Sequence, residues 1–394
     1  MRCVGTVVRG IRTPIIKEND DLATIVVDSL MAAKESENFE FKDKDIVAIT
    51  EAVVGISEGN YVTVDDIAED LMAKFPSKKI GVTNPILSRN RFSIVLKGIA
   101  RGMDKITLLT SFPSDEVGNG ILDAELLDKS DFHLGSVISE DEYTEHFGSW
   151  KHPFTGINMI DFYRELIESE DCEAEFVFSN DVKTILDYTD DVLTCDIHTR
   201  EKTVEMLGDL GANVYGLHQV LTEPVGDSGC NPDYGLLGSN KATEEKLKLF
   251  PKTGQELVEE VQKRLIELTG KQIEVMVYGD GAFKDPIGKI WELADPVVSP
   301  AHTDRLIGYP NEIKLKYVSD NKFADLHGDE LKEAIKDEIK NKDEDLTGQM
   351  ITEGTTPRVL TDLIGSLCDL TSGSGDKGTP VIFIQGYFDN LAND

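Results

Sequence analysis

The feature that most constrains this chain is an alternation: short β-branched and aliphatic runs separated by segments with apolar residues at helical spacing. From about residue 76, "KKIGVTNP" has strand character, "RNRFSIVLKGIARGM" helical character, and "DKITLLTSF" strand character again. Later "AEFVFSND", "VKTILDYTDDVLTCDIHT" and "REKTVEMLGDLGANVYGLHQVL" repeat the pattern. A β-α-β-α order puts strands into a parallel or mixed sheet with helices on its faces. Residues 76–225 are accordingly expected to form a separate α/β domain, and the chain as a whole an α/β (mixed α+β) protein.

The flanking segments have their own order. "CVGTVVRGI" alternates as a strand does, and "LATIVVDSLMAAKES" is helical. "DIVAITEAVVGIS" is a β-branched apolar run predicted as one buried strand, ended by the turn Glu58-Gly59-Asn60. "TVDDIAEDLMAKF" opens with a threonine cap and continues as a helix. After the Gly/Asp/Pro-rich "TEPVGDSGCNPDYG" comes a long amphipathic helix, "TGQELVEEVQKRLIELTGK", whose Leu257, Val261, Leu265 and Leu268 share one face. A strand ("QIEVMVYGDG"), a charged helix ("GDELKEAIKDEIKNK") and a final helix–loop–strand complete the chain. The expectation is a discontinuous domain of residues 1–75 plus 226–394 interrupted by the central one. No internal repeat or low-complexity tract is present, which excludes a solenoid.

The 394 residues are enough for two cores. The net charge is −33, from 73 acidic and 40 basic residues. Such a field repels nucleic acid and anionic lipid, so neither is an expected partner. No apolar run reaches the ~20 residues that cross a bilayer, and the first residues lack the zones of a signal peptide. A cytoplasmic protein is expected. The five cysteines are scattered and odd in number, the pattern of buried, reduced thiols rather than of disulfides or a zinc ribbon.

Four groups of residues could carry chemistry. The C-terminal loop Ser372-Gly373-Ser374-Gly375-Asp376-Lys377-Gly378-Thr379 can turn sharply and point several N–H groups inward, with Lys377 adding charge; a plain turn is the competing reading. Gly279-Asp280-Gly281 follows an apolar strand, where a carboxylate can meet a ligand or hard cation, and Asp285 comes soon after; an Asp-Gly turn is the alternative. Arg9 and Arg12 bracket Gly10 in a chain poor in basic residues, and a guanidinium suits phosphate or carboxylate as well as surface acids. Gly235, Gly238, Ser239, Asn240 and Lys241 suit an anion or a capped turn. Asp196 and His198 form a further pair that reads either as a ligand or acid–base pair, or as structural. No H-E-x-x-H, nucleophile elbow or G-x-G-x-x-G after a strand occurs.

In this order the groups resemble the coenzyme F420-0:L-glutamate ligase (F420-0:gamma-glutamyl ligase) family. "RGIRTPIIKENDDLATIVVDSL" and "DIVAITEAVVGISEGN" are similar to its N-terminal P-L-I-K-x-G-D-D-L stretch and its strand ending in S-K-A-E-G. "YGLLGSNKATEEKLKLFP" resembles its A-G-I-D-x-S-N stretch, "RLIELTGKQIEVMVYGDG" its helix, turn and strand before an aspartate, and "SGSGDKGTPVIFIQG" its C-terminal G-x-G-x-x-G-I-P loop. The resemblance implies a ligase fold carrying a central insert, a homodimer, GTP (or ATP) as co-substrate and Mg²⁺ or Mn²⁺. It also implies an acyl phosphate that the amine of L-glutamate or a similar amino acid displaces. It places the nucleotide against Arg9, Gly10, Arg12, Thr13, Thr50, Asn240 and the loop Gly373, Ser374, Gly375, Asp376, Lys377 and Gly378. It places a metal at Asp280, and Glu51, Asp233 or Asp285 are candidates to replace the metal carboxylates that the family has and this chain lacks. Ile56, Leu237 and Ser374 stand where the family carries a lysine and two acidic residues, so the alternative is a non-catalytic nucleotide- or metabolite-binding protein on the same scaffold.

Overall fold

The computed structural model describes residues 3–89, 92–152, 155–279, 282–284, 291–293, 299–352, 358–372 and 376–393. They fall into two compact units: Met1–Val54 with Thr253–Asp285 and Ile290–Asp394, and Gly55–Lys252. Strands and helices are numbered in chain order.

The first unit is built on a five-stranded sheet. Its strands are β1 (Val7–Ile11), β2 (Ile46–Thr50), β12 (Glu274–Tyr278), β15 (Ala301–His302) and β16 (Val381–Gln385), in the order β1-β16-β2-β12-β15. β2 and β12 are parallel, while β16 runs antiparallel to both β1 and β2. The central strands read as unbroken apolar runs because both faces are covered. Val47, Ile49, Val275, Val277, Val381 and Phe383 face a core shared with α1 (Leu22–Glu37) and α9 (Gly254–Thr269). Ile46, Ala48, Met276, Tyr278, Ile382 and Ile384 face Leu360, Ile364 and Cys368 of α12 (Leu360–Ser372). A separate small cluster joins α10 (Leu315–Asn321) to α11 (Gly328–Lys340) through Val318 and Ile339. β13 (Ala282–Lys284) and β14 (Trp291–Leu293) form an antiparallel pair.

Two local expectations are corrected. The run "DIVAITEAVVGIS" is strand only to Thr50; Glu51–Glu58 is helix α2. In α9 the buried positions are Gly254, Val258, Val261 and Leu265, whereas Leu268, in the helix's last turn, is exposed.

The second unit holds a sheet of β4 (Lys79–Thr83), β5 (Lys105–Thr110), β6 (Ile138–Ser139), β7 (Glu173–Phe178), β8 (Asp191–Thr194) and β9 (Asn213–Gly216), in the order β6-β7-β5-β4-β8-β9. All its neighbours are parallel except β6 and β7. Helices α3 (Val64–Lys74), α4 (Phe92–Gly102) and α7 (Met159–Glu168) cover one face, and Leu207 of α8 (Arg200–Asp209) packs on the other. The short helices α5 (Ala124–Asp128) and α6 (Glu140–Phe147) lead into and out of β6. This unit reaches beyond 76–225 at both ends. Val64, Ile67 and Leu71 of α3 share the core of α4, and β3 (Tyr61–Thr63) pairs with β11 (Lys246–Lys248) beside β10 (Asn240–Thr243).

Candidate functional site

Strand direction brings four chain segments to one end of the first unit's sheet. The register sets Ile11 against Val381, Val381 against Ile49, and Tyr278 against Thr50. The carboxyl ends of β1, β2 and β12 therefore share an edge with the amino end of β16. Carboxyl ends of strands are where open α/β sheets take ligands, since the loops there leave a crevice free of regular structure. The Thr13 N–H donates to the Gly378 carbonyl at 3.3 Å, and the Thr50 N–H to the Pro380 carbonyl at 3.0 Å. Gly10 lies against Thr379: a Cβ there would stand 3.1 Å from the threonine Cβ and Cγ2.

Arg12 and Lys377 are both exposed at this edge, and neither has an ion pair or side-chain hydrogen bond among the described residues. That is a notable condition in a chain of net charge −33. Asp376 is exposed beside Lys377. Glu51 opens α2 directly after β2 and is buried, with 7% of its surface accessible. Below the edge, burial pushes the Tyr278 hydroxyl up, well above its ordinary range. The edge thus offers two cations without partners among the described residues, together with backbone N–H groups, donors that suit a polyphosphate, while the buried Glu51 carboxylate beside them could face one only through a cation.

Arg9 is placed differently. Its guanidinium lies 4.8 Å from the Phe39 ring centroid and donates to Gln385 Oε1 at 2.8 Å. Gln385 Nε2 in turn donates to Asp45 Oδ2 at 2.9 Å. Burial raises the Asp45 carboxyl above its ordinary value, opposed by the Lys42 N–H and the Gln385 amide. Asp45 and Gln385 mark the opposite end of β2 and β16, so Arg9 is not gathered with Arg12, Thr13, Thr50 and Gly378. At that opposite end, β12 starts beside a cavity of about 360 Å³ lined by Gln255, Glu259, Gln262, Glu274 and Arg305 among others. Its buried carboxylate, Glu274, is already met by Thr303 Oγ1 at 2.6 Å, Gln262 Nε2 at 3.2 Å and Arg305 Nε at 3.2 Å.

Asn240 belongs to the second unit, where it pairs with Lys248 between β10 and β11. The neighbouring glycines serve packing: Gly238, at φ +73°, has no room for a Cβ, which would lie 2.1 Å from the Phe250 ring, and one on Gly235 would lie 2.4 Å from the Val220 carbonyl. Lys241 pairs with Glu244 at 2.5 Å. Asp196 is buried and accepts hydroxyl hydrogen bonds from Thr194 (2.5 Å), Thr199 (2.6 Å) and Thr203 (2.8 Å). Three hydroxyl donors take up most of that carboxylate's acceptor capacity, which makes it a structural pin for the turn after β8. Asp280, Asp285, Gly373, Ser374 and Gly375 lie outside the described residues. Among the described residues no group of three His, Cys, Asp or Glu side chains is arranged to hold a metal ion.

A family model for F420-0:Gamma-glutamyl ligase matches residues 10–386. The chain belongs to that family. A comparison with curated proteins found no match. The match runs from the second arginine's strand to the end of β16, so it takes in both units and every segment of the sheet edge described above. A ligase-type function follows from the membership. Sequence reading singled out Arg12 and Lys377 as candidates, and the structure sets both at this edge; it missed the tie between Gly10 and Thr379, which no local signal announces because the two segments meet only through long-range pairing. No helix among the described residues is long and apolar enough to cross a membrane.

Proposed function

We propose that this member of the F420-0:gamma-glutamyl ligase family is a nucleotide-dependent ligase that joins L-glutamate or a similar amino acid to a carboxylate by way of an acyl phosphate. The observation that carries the reading is the pair of cations, Arg12 and Lys377, held without acidic partners among the described residues where β1 and the loop before β16 meet. In an acidic chain, cations left unpaired at the carboxyl edge of a sheet are suited to a ligand's phosphates.

In this reaction the substrate carboxylate oxygen attacks the γ-phosphorus of GTP or ATP, and the bond to the nucleoside diphosphate breaks. The amine nitrogen then attacks the acyl carbon, expelling inorganic phosphate and leaving an amide and a proton. Arg12, Lys377 and the Thr13, Asp376 and Gly378 segment would hold and orient the polyphosphate, whose charge is the main obstacle to attack by another anion. Asn240, Thr50 and the loop residues Gly373, Ser374 and Gly375 belong to the same reading as nucleotide contacts. Mg²⁺ or Mn²⁺ would supply further charge neutralisation, with Glu51, Asp280 and Asp285 proposed as its ligands. A cytoplasmic homodimer is also proposed, with β1, the outer strand of the order β1-β16-β2-β12-β15, as its candidate pairing strand.

A second reading keeps the scaffold and drops the chemistry. Leu237, where the family has an aspartate, is 6% accessible and part of the second unit's apolar core. A position that has been given over to packing cannot ligate a cation, which favours a nucleotide- or metabolite-binding protein.

The deciding experiment is a thermal and calorimetric titration of the full chain with GTP and ATP in the presence of Mn²⁺. A ligand at ~100-fold its Kd adds about 2.7 kcal/mol of stability. The ligase reading expects that shift, its loss in the Arg12→Gln/Lys377→Gln double variant, and amino-acid-dependent phosphate release. Stabilisation without phosphate release for any amino acid would leave the binding-protein reading standing. No stabilisation by either nucleotide would remove the polyphosphate site.

A further inference from the structure

We infer that the cavity at the amino end of β12 is a binding site for a basic α-amino acid, a molecule with one carboxylate and two cationic groups. The cavity originates in the sheet. β12 begins at Glu274, which pairs with Ile46 of β2 on one side. On the other side β15 ends at His302, and the chain turns into a short 3₁₀ helix, Asp304–Leu306. The space that a longer strand would fill is left open between this turn and the face of α9 that carries Gln255, Glu259 and Gln262 at helical spacing. It amounts to about 360 Å³, at the lower end of the ~300–1,000 Å³ of small-molecule pockets. Every lining side chain is polar, so an apolar ligand finds nothing to bury against.

Some of the polar groups around it are committed and others are not. Glu274 is buried; its Oε2 accepts from Thr303 Oγ1 at 2.6 Å and from Gln262 Nε2 at 3.2 Å, and Arg305 Nε stands 3.2 Å from its Oε1. These contacts hold the guanidinium by its Nε and leave the fork of Nη1 and Nη2 without a partner among the described residues. The Asp304 carboxylate has none among them either, and Glu259 is met there by Gln255 Nε2 alone, at 2.9 Å on one oxygen. Glu259, Asp304 and Arg305 are all exposed, so a ligand reaches them without displacing the chain. A guanidinium fork takes a carboxylate in two parallel hydrogen bonds, and each free carboxylate takes an ammonium or a guanidinium. Charge gives the same answer. Three carboxylates, Glu259, Glu274 and Asp304, against the one guanidinium of Arg305 leave a balance of −2 in the lining. A neutral zwitterion would not reduce that balance, whereas a basic amino acid would. A diamine would reduce it too, but would leave the Arg305 fork unused.

The test is calorimetric titration of the full chain, without nucleotide, with L-lysine, L-arginine, cadaverine (lysine without its carboxylate) and L-norleucine (lysine without its ε-ammonium). Lysine or arginine is expected to bind about tenfold or more tightly than cadaverine or norleucine, each of which forfeits one charge-assisted contact. Arg305→Lys keeps the charge beside Glu274 and loses the fork. That variant, Asp304→Asn and Glu259→Gln all replace exposed side chains, and each should raise the Kd of the basic amino acid about tenfold. Arg305→Lys should leave the affinity for cadaverine unchanged. Cadaverine bound as tightly as lysine would reveal a site for cations alone, and norleucine bound as tightly a site blind to the basic side chain; either overturns the inference. So does binding that survives all three substitutions, which would place the amino acid elsewhere on the chain, or no binding of lysine or arginine. The cavity lies at the end of β12 opposite the edge that carries Arg12 and Lys377, so none of these outcomes bears on the nucleotide site.

Discussion

Asp21 caps α1 by accepting from the Thr24 N–H at 3.0 Å and from the Thr24 hydroxyl at 2.6 Å. The hydroxyl and the N–H hold its carboxyl below the usual 3.8, with a smaller contribution from the Arg264 guanidinium. A depressed folded-state value means that the ionised cap is stabilising above 3.8 and that this benefit is lost as pH falls through the folded-state value. Asp21→Ala should lower stability by about 1 kcal/mol at pH 7, the ordinary cost of an N-cap. Urea melts of wild type and variant should show a constant gap from neutral pH down to about pH 5 and a narrowing gap below about pH 4. A gap that widens on acidification would contradict the assignment. This cap was legible in the sequence, where an Asp-rich entry precedes a helical run. Arg9 was not. Its residue type suggests an anion partner, yet its partner is the Gln385 amide, 376 positions away, through a strand register that no local pattern encodes. Arg12, which has no partner among the described residues, differs from Arg9 by fold position and not by chemistry.

Most elements were read as the structure has them, the continuous apolar runs of β12 and β16 included; the exceptions are the long run of residues 46–58 and the place of Leu268 on the face of α9. Residues 46–58 are rich in β-branched side chains, with Ile46, Val47, Ile49, Thr50, Val53, Val54 and Ile56, and a largely apolar segment of that kind does not by itself distinguish strand from buried helix. What ends β2 at Thr50 is pairing: its N–H turns to the Pro380 carbonyl, and the next residues wind into α2. The packing of α3 on α4 was likewise invisible in outline but has a sequence trace in Gly98 and Gly102, one helical turn apart. A Cβ on Gly98 would come 2.8 Å from Ile67 Cβ, and one on Gly102 2.9 Å from the Ala68 carbonyl. Glycine inside a helix costs ~1 kcal/mol relative to alanine, so Gly98→Ala would stabilise an isolated α4. Against that, crowding a packed core costs about 1–3 kcal/mol. Crowding with Ile67 should win because the contact is with a β-branched Cβ that cannot swing away. The expected outcome is a net loss of about 1 kcal/mol in the urea midpoint of the full chain. A higher midpoint for Gly98→Ala would mean that α3 and α4 separate freely and that the close crossing is not a constraint.

At the scale of the whole molecule, the charge of −33 acts on both stability and ligand capture. Self-repulsion among surplus carboxylates opposes the compact state over distances comparable to the Debye length. That length is ~30 Å at 0.01 M salt and ~8 Å at 0.15 M. Raising salt across this range should therefore increase the melting temperature. The same argument bears on the anion site. An incoming nucleotide meets a long-range repulsive field and a short-range attraction from Arg12 and Lys377, and salt weakens the first more than the second because screening grows with distance. Association of GTP·Mn²⁺ should accelerate between 0.01 M and ~0.15 M salt, the reverse of what a basic binding surface gives. The Arg12→Gln/Lys377→Gln variant isolates the two terms: its repulsive field is nearly unchanged, so it should retain the acceleration with salt while losing the tight binding. Stopped-flow traces in which wild-type association slows steadily with salt would show that the local cations dominate at every distance. In that case the acidic surface would be irrelevant to capture, and the global field would not compete with the two local charges.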